Sequence, residues 1–252
     1  MIDIHAHYDD PAFDADRDEL LSGIFARGDI RAVINAGCDA ASSEASLALA
    51  ARYGGMYAAV GIHPENASNA GERELAHITA LLCERKAVAL GEIGLDYHYT
   101  RENERAQKEL FDTQLSIAEQ YGKPVVIHER DAMADCLDIV LAHRAKGVFH
   151  SFSGSRETAR ILLERGYYIS FSGTVTFKNA RIPPENAAYV PEDRILTETD
   201  CPYLTAHPFR GRRNDSTYME YTLRRIAEIR GVEYEYIEHI TEANAARLFG
   251  LQ

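Results

Sequence analysis

Two histidines one residue apart, His5 and His7, close the opening stretch Met1-Ile-Asp-Ile-His-Ala-His7. The alternation of apolar residues before them reads as a strand, and residues two apart on a strand share a face. Both imidazoles therefore aim at one point, which suits a divalent cation better than a packed core. Alone the pair is a weak signal. It gains weight because later apolar runs end in matching ligand types: Glu92 within Ala87–Asp96, His128 after Pro124-Val-Val-Ile, His150 after Gly147-Val-Phe, and Asp200 after Ile195-Leu-Thr-Glu-Thr. Four imidazoles and two carboxylates make a mixed nitrogen and oxygen set suited to one or two divalent ions. A single histidine at a strand end is more often a satisfied hydrogen-bonding residue; a whole series of them is harder to explain that way.

The elements that must position these residues are short and apolar. Strand-like runs lie at Met1–His7, Ile30–Cys38, Met56–Pro64, Ala87–Asp96, Pro124–Arg130, Gly147–Gly154, Tyr167–Gly173 and Ile195–Pro202. Most are apolar for a few residues and then turn polar, as buried parallel strands do. Helical patterns separate them. In Glu102–Tyr121, Phe111, Leu115 and Ala118 recur at helical spacing, and Gly122 with Pro124 stops the helix. The last helix is expected near Thr241, an N-cap residue followed by Glu242. Strand alternating with helix implies a parallel sheet, and 252 residues suit a closed (β/α)8 barrel. An open doubly wound sheet is the alternative. With no linker, repeat or low-complexity tract, residues 1–252 read as a single TIM-barrel domain. Its active site would sit at the carboxyl ends of the strands, where the ligand types collect.

The composition narrows the class. Cys38, Cys83, Cys136 and Cys201 are far apart, so a disulfide framework or thiolate zinc site is not expected. No basic-then-apolar leader and no run of about eighteen apolar residues is seen, so the expectation is a cytoplasmic protein with no membrane span. A net charge of −12 argues against clamping long duplex DNA, which needs a broad basic face. It leaves open a nucleic-acid end or small phosphoester bound at cations, which supply the missing positive field.

Met1–His7, Gly61-Ile-His-Pro64, Gly91-Glu-Ile-Gly-Leu-Asp-Tyr97, His150-Ser-Phe-Ser-Gly154 and Glu198-Thr-Asp-Cys-Pro-Tyr203 together resemble the TatD family of metal-dependent hydrolases. The likeness runs to the closing Asn244-Ala-Ala-Arg-Leu-Phe-Gly250. This family is a branch of the amidohydrolase-like barrels, and its studied members are metal-dependent DNases with 3′–5′ exonuclease activity. The resemblance implies two divalent ions: His5, His7 and Asp200 on the first, His128 and His150 on the second, and Glu92 bridging both. Two cations sharing a carboxylate acidify a water between them, from about 15.7 towards 7 in the zinc case. Asp200 is then the candidate general base, with Glu92 the second catalytic residue. Histidines favour zinc or manganese; the carboxylates and phosphate chemistry leave room for magnesium.

Substrate contacts are a weaker reading. His63 either touches a phosphate or a metal ligand, or caps the turn before Pro64. Tyr97 and Tyr203 either stack on a base or pack at the rim. Arg210-Gly-Arg-Arg213 and Lys178 are candidate phosphate contacts, with a solvated loop as the competing reading. In the family the former commonly reads Arg-Gly-Lys-Arg-Asn-Glu-Pro; here Arg212, Asp215 and Ser216 depart from it, which touches substrate preference rather than metal chemistry. Glu198, two residues before Asp200, is placed to orient a ligand rather than to bind metal. The expected function is a phosphodiesterase acting on DNA ends, with no obligate protein partner. The rivals are an ester, lactone or amide hydrolase using the same centre, and a metal-binding scaffold without catalysis.

Overall fold

The computed structural model describes residues 1–251. Its elements run β1 (Ile2–Ala6), α1 (Arg17–Arg27), β2 (Ala32–Ala36), α2 (Ala40–Arg52), β3 (Met56–Val60), α3 (Glu72–Leu81), β4 (Ala87–Asp96), α4 (Glu104–Tyr121), β5 (Val125–Arg130), α5 (Met133–Ala142), β6 (Gly147–Phe149), α6 (Arg156–Glu164), β7 (Tyr168–Phe171), α7 (Ile182–Tyr189), β8 (Ile195–Thr197), α8 (Met219–Arg230) and α9 (Tyr234–Phe249). All eight strands belong to one sheet in chain order, and the fold is the (β/α)8 barrel. Every residue of β1, β2 and β4 is buried, as expected for parallel strands covered on both faces.

The chain divides into two compact units, Ala36–Phe149 and Met1–Asn35 with the chain from His150 onward. In the first, β3, β4, β5 and β6 pair in parallel; Gly94 of β4 stands opposite His128 of β5, and Asp96 opposite Arg130. In the second, β1 pairs with β2 and β7 with β8. The end of β8 returns to β1 there: Ala6 bridges Cys201, the Asp200 amide donates to His5 O at 2.9 Å, and the His7 amide to Cys201 O at 2.8 Å.

Local chemistry explains the helix ends. Asp39 and Ser42 form a capping box on α2. Gly122, at φ 63°, closes α4 in the left-handed conformation that glycine adopts most cheaply. One expected boundary is corrected. The last helix starts at Tyr234, and Thr241 lies inside it, its hydroxyl donating to Ile237 O at 2.9 Å. A threonine that returns its hydroxyl to the preceding turn satisfies itself within a helix and does not start one. No helix among the described residues is long and apolar enough to cross a membrane.

Candidate metal centre

In the unit that contains β1 and β8, three donors converge. His5 Nε2 lies 3.1 Å from His7 Nε2, and Asp200 Oδ1 lies 3.7 Å from His5 Nε2 and 3.4 Å from His7 Nε2. A tetrahedral site with bonds of about 2.1 Å spaces its donors about 3.4 Å apart, so this set fits a small divalent ion. Asp200 is held in the left-handed region at φ 57°, a strained state for a residue with a side chain. Burial works to raise the Asp200 carboxyl, but the hydrogen bond from His7 and the charges of His5, His150 and His7 outweigh it and keep it below the usual carboxylate range. The acid stays ionised, as a ligand or base must.

His150 stacks on His5, with ring centroids 4.0 Å apart and planes within 12°. Its Nδ1 lies 3.2 Å from Glu198 Oε1, which also accepts the Ser151 amide at 2.7 Å. Glu198 is fully buried, and its Oε2 has no hydrogen-bond partner among the described residues. A carboxylate on one ring nitrogen fixes the imidazole's tautomer and turns the other nitrogen outward as a ligand.

In the unit that contains β4 and β5, Glu92 is the centre. His128 Nδ1 lies 2.8 Å from Glu92 Oε1 and His63 Nε2 lies 3.7 Å from it. His63 Nδ1 accepts the Glu65 amide at 3.2 Å and caps the turn at Pro64. His128 Nε2 meets Asp96 Oδ2 at 2.9 Å, the same carboxylate-on-imidazole device as Glu198 on His150. Asp96 escaped the reading of the sequence, although it ends the same run as Glu92 with the parity that marks a shared face.

Asp3 also went unnoticed. It shares the parity of His5 and His7 and is fully buried. It accepts the Thr199 amide at 2.9 Å, the Thr199 hydroxyl at 2.6 Å and the Ser216 hydroxyl at 2.7 Å, tying β1 to the segment that carries Asp200. The Ser216 amide donates to Tyr8 Oη at 2.8 Å. Burial pushes the Asp3 carboxyl up to about 6 against these hydrogen bonds. Because the folded value is raised, the neutral form's contribution to stability is complete below about pH 4 and is lost as the pH climbs through about 6. Asp3→Asn is expected to flatten that decline in chelator-treated protein. Urea midpoints taken across this range check it, and parallel curves for variant and wild type would refute it.

The remaining candidates divide. Tyr97 is buried and donates to Asp135 Oδ2 at 2.9 Å, with the Arg101 guanidinium 4.9 Å from its ring centroid. Arg213 is held by both oxygens of Asp16, at 2.7 and 2.6 Å, and by Ala12 O at 2.8 Å. Tyr203 is exposed and donates to Asp10 Oδ2 at 2.8 Å; burial and then that acid push its hydroxyl up to about 12. Lys178 and Arg210 are exposed, and the Arg210 guanidinium sits 3.7 Å from the Phe177 ring centroid. Asn214 clamps the same loop from within, donating to Thr199 O at 2.9 Å and Tyr203 O at 2.6 Å.

The family described as TatD related DNase matches residues 2–250. The chain belongs to the TatD family of metal-dependent hydrolases. The uncharacterized metal-dependent hydrolase YabD of Bacillus subtilis (strain 168) is 40% identical over 252 residues, covering 99% of this chain and 98% of its own. The 3′-5′ ssDNA/RNA exonuclease TatD of Cronobacter sakazakii is 34% identical over 257 residues, covering 99% of this chain and 97% of its own. The crystal structure of YJJV, a TatD homologue from Escherichia coli K12, superposes with a TM-score of 0.93 at 30% identity, covering 100% of this chain and 98% of its own. The clusters His5–His7–Asp200 and His63–Glu92–His128 thus belong to a TatD-type chain, with donor types that suit the metal dependence of the family.

Proposed function

We propose that the protein is a 3′–5′ exonuclease-like phosphodiesterase that acts on single-stranded DNA ends through a dinuclear metal centre. The observation that carries this reading is the pair of clusters, His5–His7–Asp200 and His63–Glu92–His128, each an imidazole set around a carboxylate at strand carboxyl ends. His5, His7 and Asp200 would hold one ion and Glu92 with His128 another, with His150 a further ligand. Mg²⁺, Mn²⁺ or Zn²⁺ so bound would acidify a water and neutralise the phosphate oxygens and leaving alkoxide. Asp200 would accept the proton of the attacking water, and its lowered pKa keeps it ready to do so. Glu198 and Asp96 would hold the His150 and His128 rings against rotation.

Lys178 and Arg210, both exposed, would contact substrate phosphates, and Tyr203 would flank the bound end near His7, 6.3 Å away between ring centroids. His63 would steady Glu92. Arg213 and Tyr97 would act through the loops they hold, because protein partners already take their polar groups. The acidic charge of the chain suits a single-stranded end drawn in by cations better than a clamped duplex. The name of the Cronobacter relative supports the same substrate.

The test is hydrolysis by chelator-stripped protein re-supplied separately with Mg²⁺, Mn²⁺ or Zn²⁺. Single-stranded DNA labelled at its 5′ end and a panel of small esters and lactones serve as substrates. Stepwise, metal-dependent shortening from the 3′ end is the expected result. Intact DNA with turnover of an ester would keep the centre and overturn the substrate.

A further inference from the structure

We infer that Tyr99 and Arg130 form a stacking platform for a nucleobase of a single-stranded nucleic acid, an inference that rests on the nuclease reading above. Tyr99 is 71% exposed, whereas its neighbour Tyr97 is buried and hydrogen-bonded to Asp135. The Arg130 guanidinium carbon lies 5.2 Å from the Tyr99 ring centroid, and its Nη1 lies 3.5 Å from the Tyr99 hydroxyl. His98 meets the Tyr99 ring edge-on, with centroids 4.8 Å apart and planes at 83°. Its Nδ1 is held in turn by Asp131 Oδ2 at 2.9 Å. An exposed aromatic face beside a guanidinium is the chemistry that binds bases without regard to sequence. A merely packed rim residue would be covered, as Tyr97 is.

The platform is tied to the cluster around Glu92. The His98 amide donates to Asp96 Oδ1 at 2.8 Å, and Asp96 holds the His128 ring. The Tyr97 amide donates to Arg130 O at 2.9 Å, fixing the segment after β4 against the end of β5. His128 and Arg130 are two residues apart on β5, so they share a face about 7 Å apart. A strand whose terminal phosphodiester lies at His128 and Glu92 therefore meets Arg130 and Tyr99 about one nucleotide further on. Arg130 supplies positive charge there in a chain whose net charge is −12.

The experiment separates binding from cleavage. Fluorescence anisotropy with a labelled, cleavage-resistant phosphorothioate oligo(dA) and full-length, metal-loaded protein compares wild type with Tyr99→Ala, Tyr99→Phe and Arg130→Ala. Tyr99→Ala should weaken binding about tenfold, while Tyr99→Phe, which keeps the ring, should stay within about twofold. Arg130→Ala should lower the slope of log affinity against log salt by about one. In the metal-replete cleavage assay, Tyr99→Ala should raise KM with little change in kcat. Equal affinity of Tyr99→Ala and wild type for the oligonucleotide overturns the platform. Wild type that binds the oligonucleotide through Tyr99 yet leaves it intact with Mg²⁺, Mn²⁺ and Zn²⁺ alike overturns the nuclease reading alone. Wild type that neither binds nor cleaves overturns both.

Discussion

Glu92→Gln is expected to empty the metal centre while leaving the fold in place. The carboxylate is almost wholly buried, with His128 Nδ1 at 2.8 Å and His63 Nε2 at 3.7 Å. A buried anion of this kind is costly unless a cation or charged partner offsets it. Glutamine keeps the volume and one acceptor oxygen but removes the negative charge that a bound cation would neutralise. In wild type, metal at a hundredfold above Kd adds about 2.7 kcal/mol of stability, a rise of several degrees in Tm for a chain of this size. The variant should lose most of that rise and most bound metal by elemental analysis, with a Tm in chelator no lower than that of wild type. Losing several kcal/mol of transition-state charge stabilisation lowers kcat/KM about a thousandfold. A variant with full metal content and wild-type turnover would remove Glu92 from the centre.

Which parts of this centre were legible follows from how each residue is held. His5, His7, His128, His150 and Asp200 stand at the ends of apolar runs, where period-two alternation and a change from apolar to polar are visible without coordinates. Glu198 was legible by parity, and its contact with His150 has the orienting geometry that position implied. The same parity argument reaches Asp3 and Asp96, yet an acid inside an apolar run has no evident partner until Thr199 and His128 are folded against it. Those partners are 196 and 32 residues away, and spacing in a sequence cannot supply them.

The rim was least legible, because exposure depends on loop conformation rather than on residue type. Tyr97 and Tyr99 are the same amino acid two positions apart, yet one is buried against Asp135 and the other stands in solvent. Arg213 and Arg210 are both exposed but differ in their partners. Arg213 is taken up by Asp16 at the start of α1, while Arg210 rests on Phe177 with its surface exposed. Charge density alone marked Arg210-Gly-Arg-Arg213 as one patch. In the fold, Arg213 is tied to Asp16 and Ala12 and Arg210 lies over the Phe177 ring.

Gly94→Ala is expected to cost more than any other single methyl group near the centre. Gly94 has φ 143°, a conformation that residues with a Cβ rarely adopt. A Cβ placed there would fall 1.9 Å from His128 O and 2.9 Å from His128 C. Both are backbone atoms of β5, so no side chain can rotate away; one strand must shift. The backbone strain alone is of order 1–3 kcal/mol, and the collision adds to it, so a loss of about 3 kcal/mol or more is expected. For a chain of this size that lowers Tm by about 6 to 12 °C. The shift also falls on His128, whose ring spans Glu92 and Asp96 at 2.8 and 2.9 Å and has little tolerance for displacement. Thermal melts in chelator isolate the packing cost, and the metal-induced rise in Tm reports the damage to the site. Gly94→Ala should lower the first and shrink the second, whereas Gly54→Ala, with no atom near its Cβ position, should change neither by more than a degree or so. A Gly94→Ala variant as stable as wild type would mean that β4 and β5 do not approach as closely in solution as this register requires.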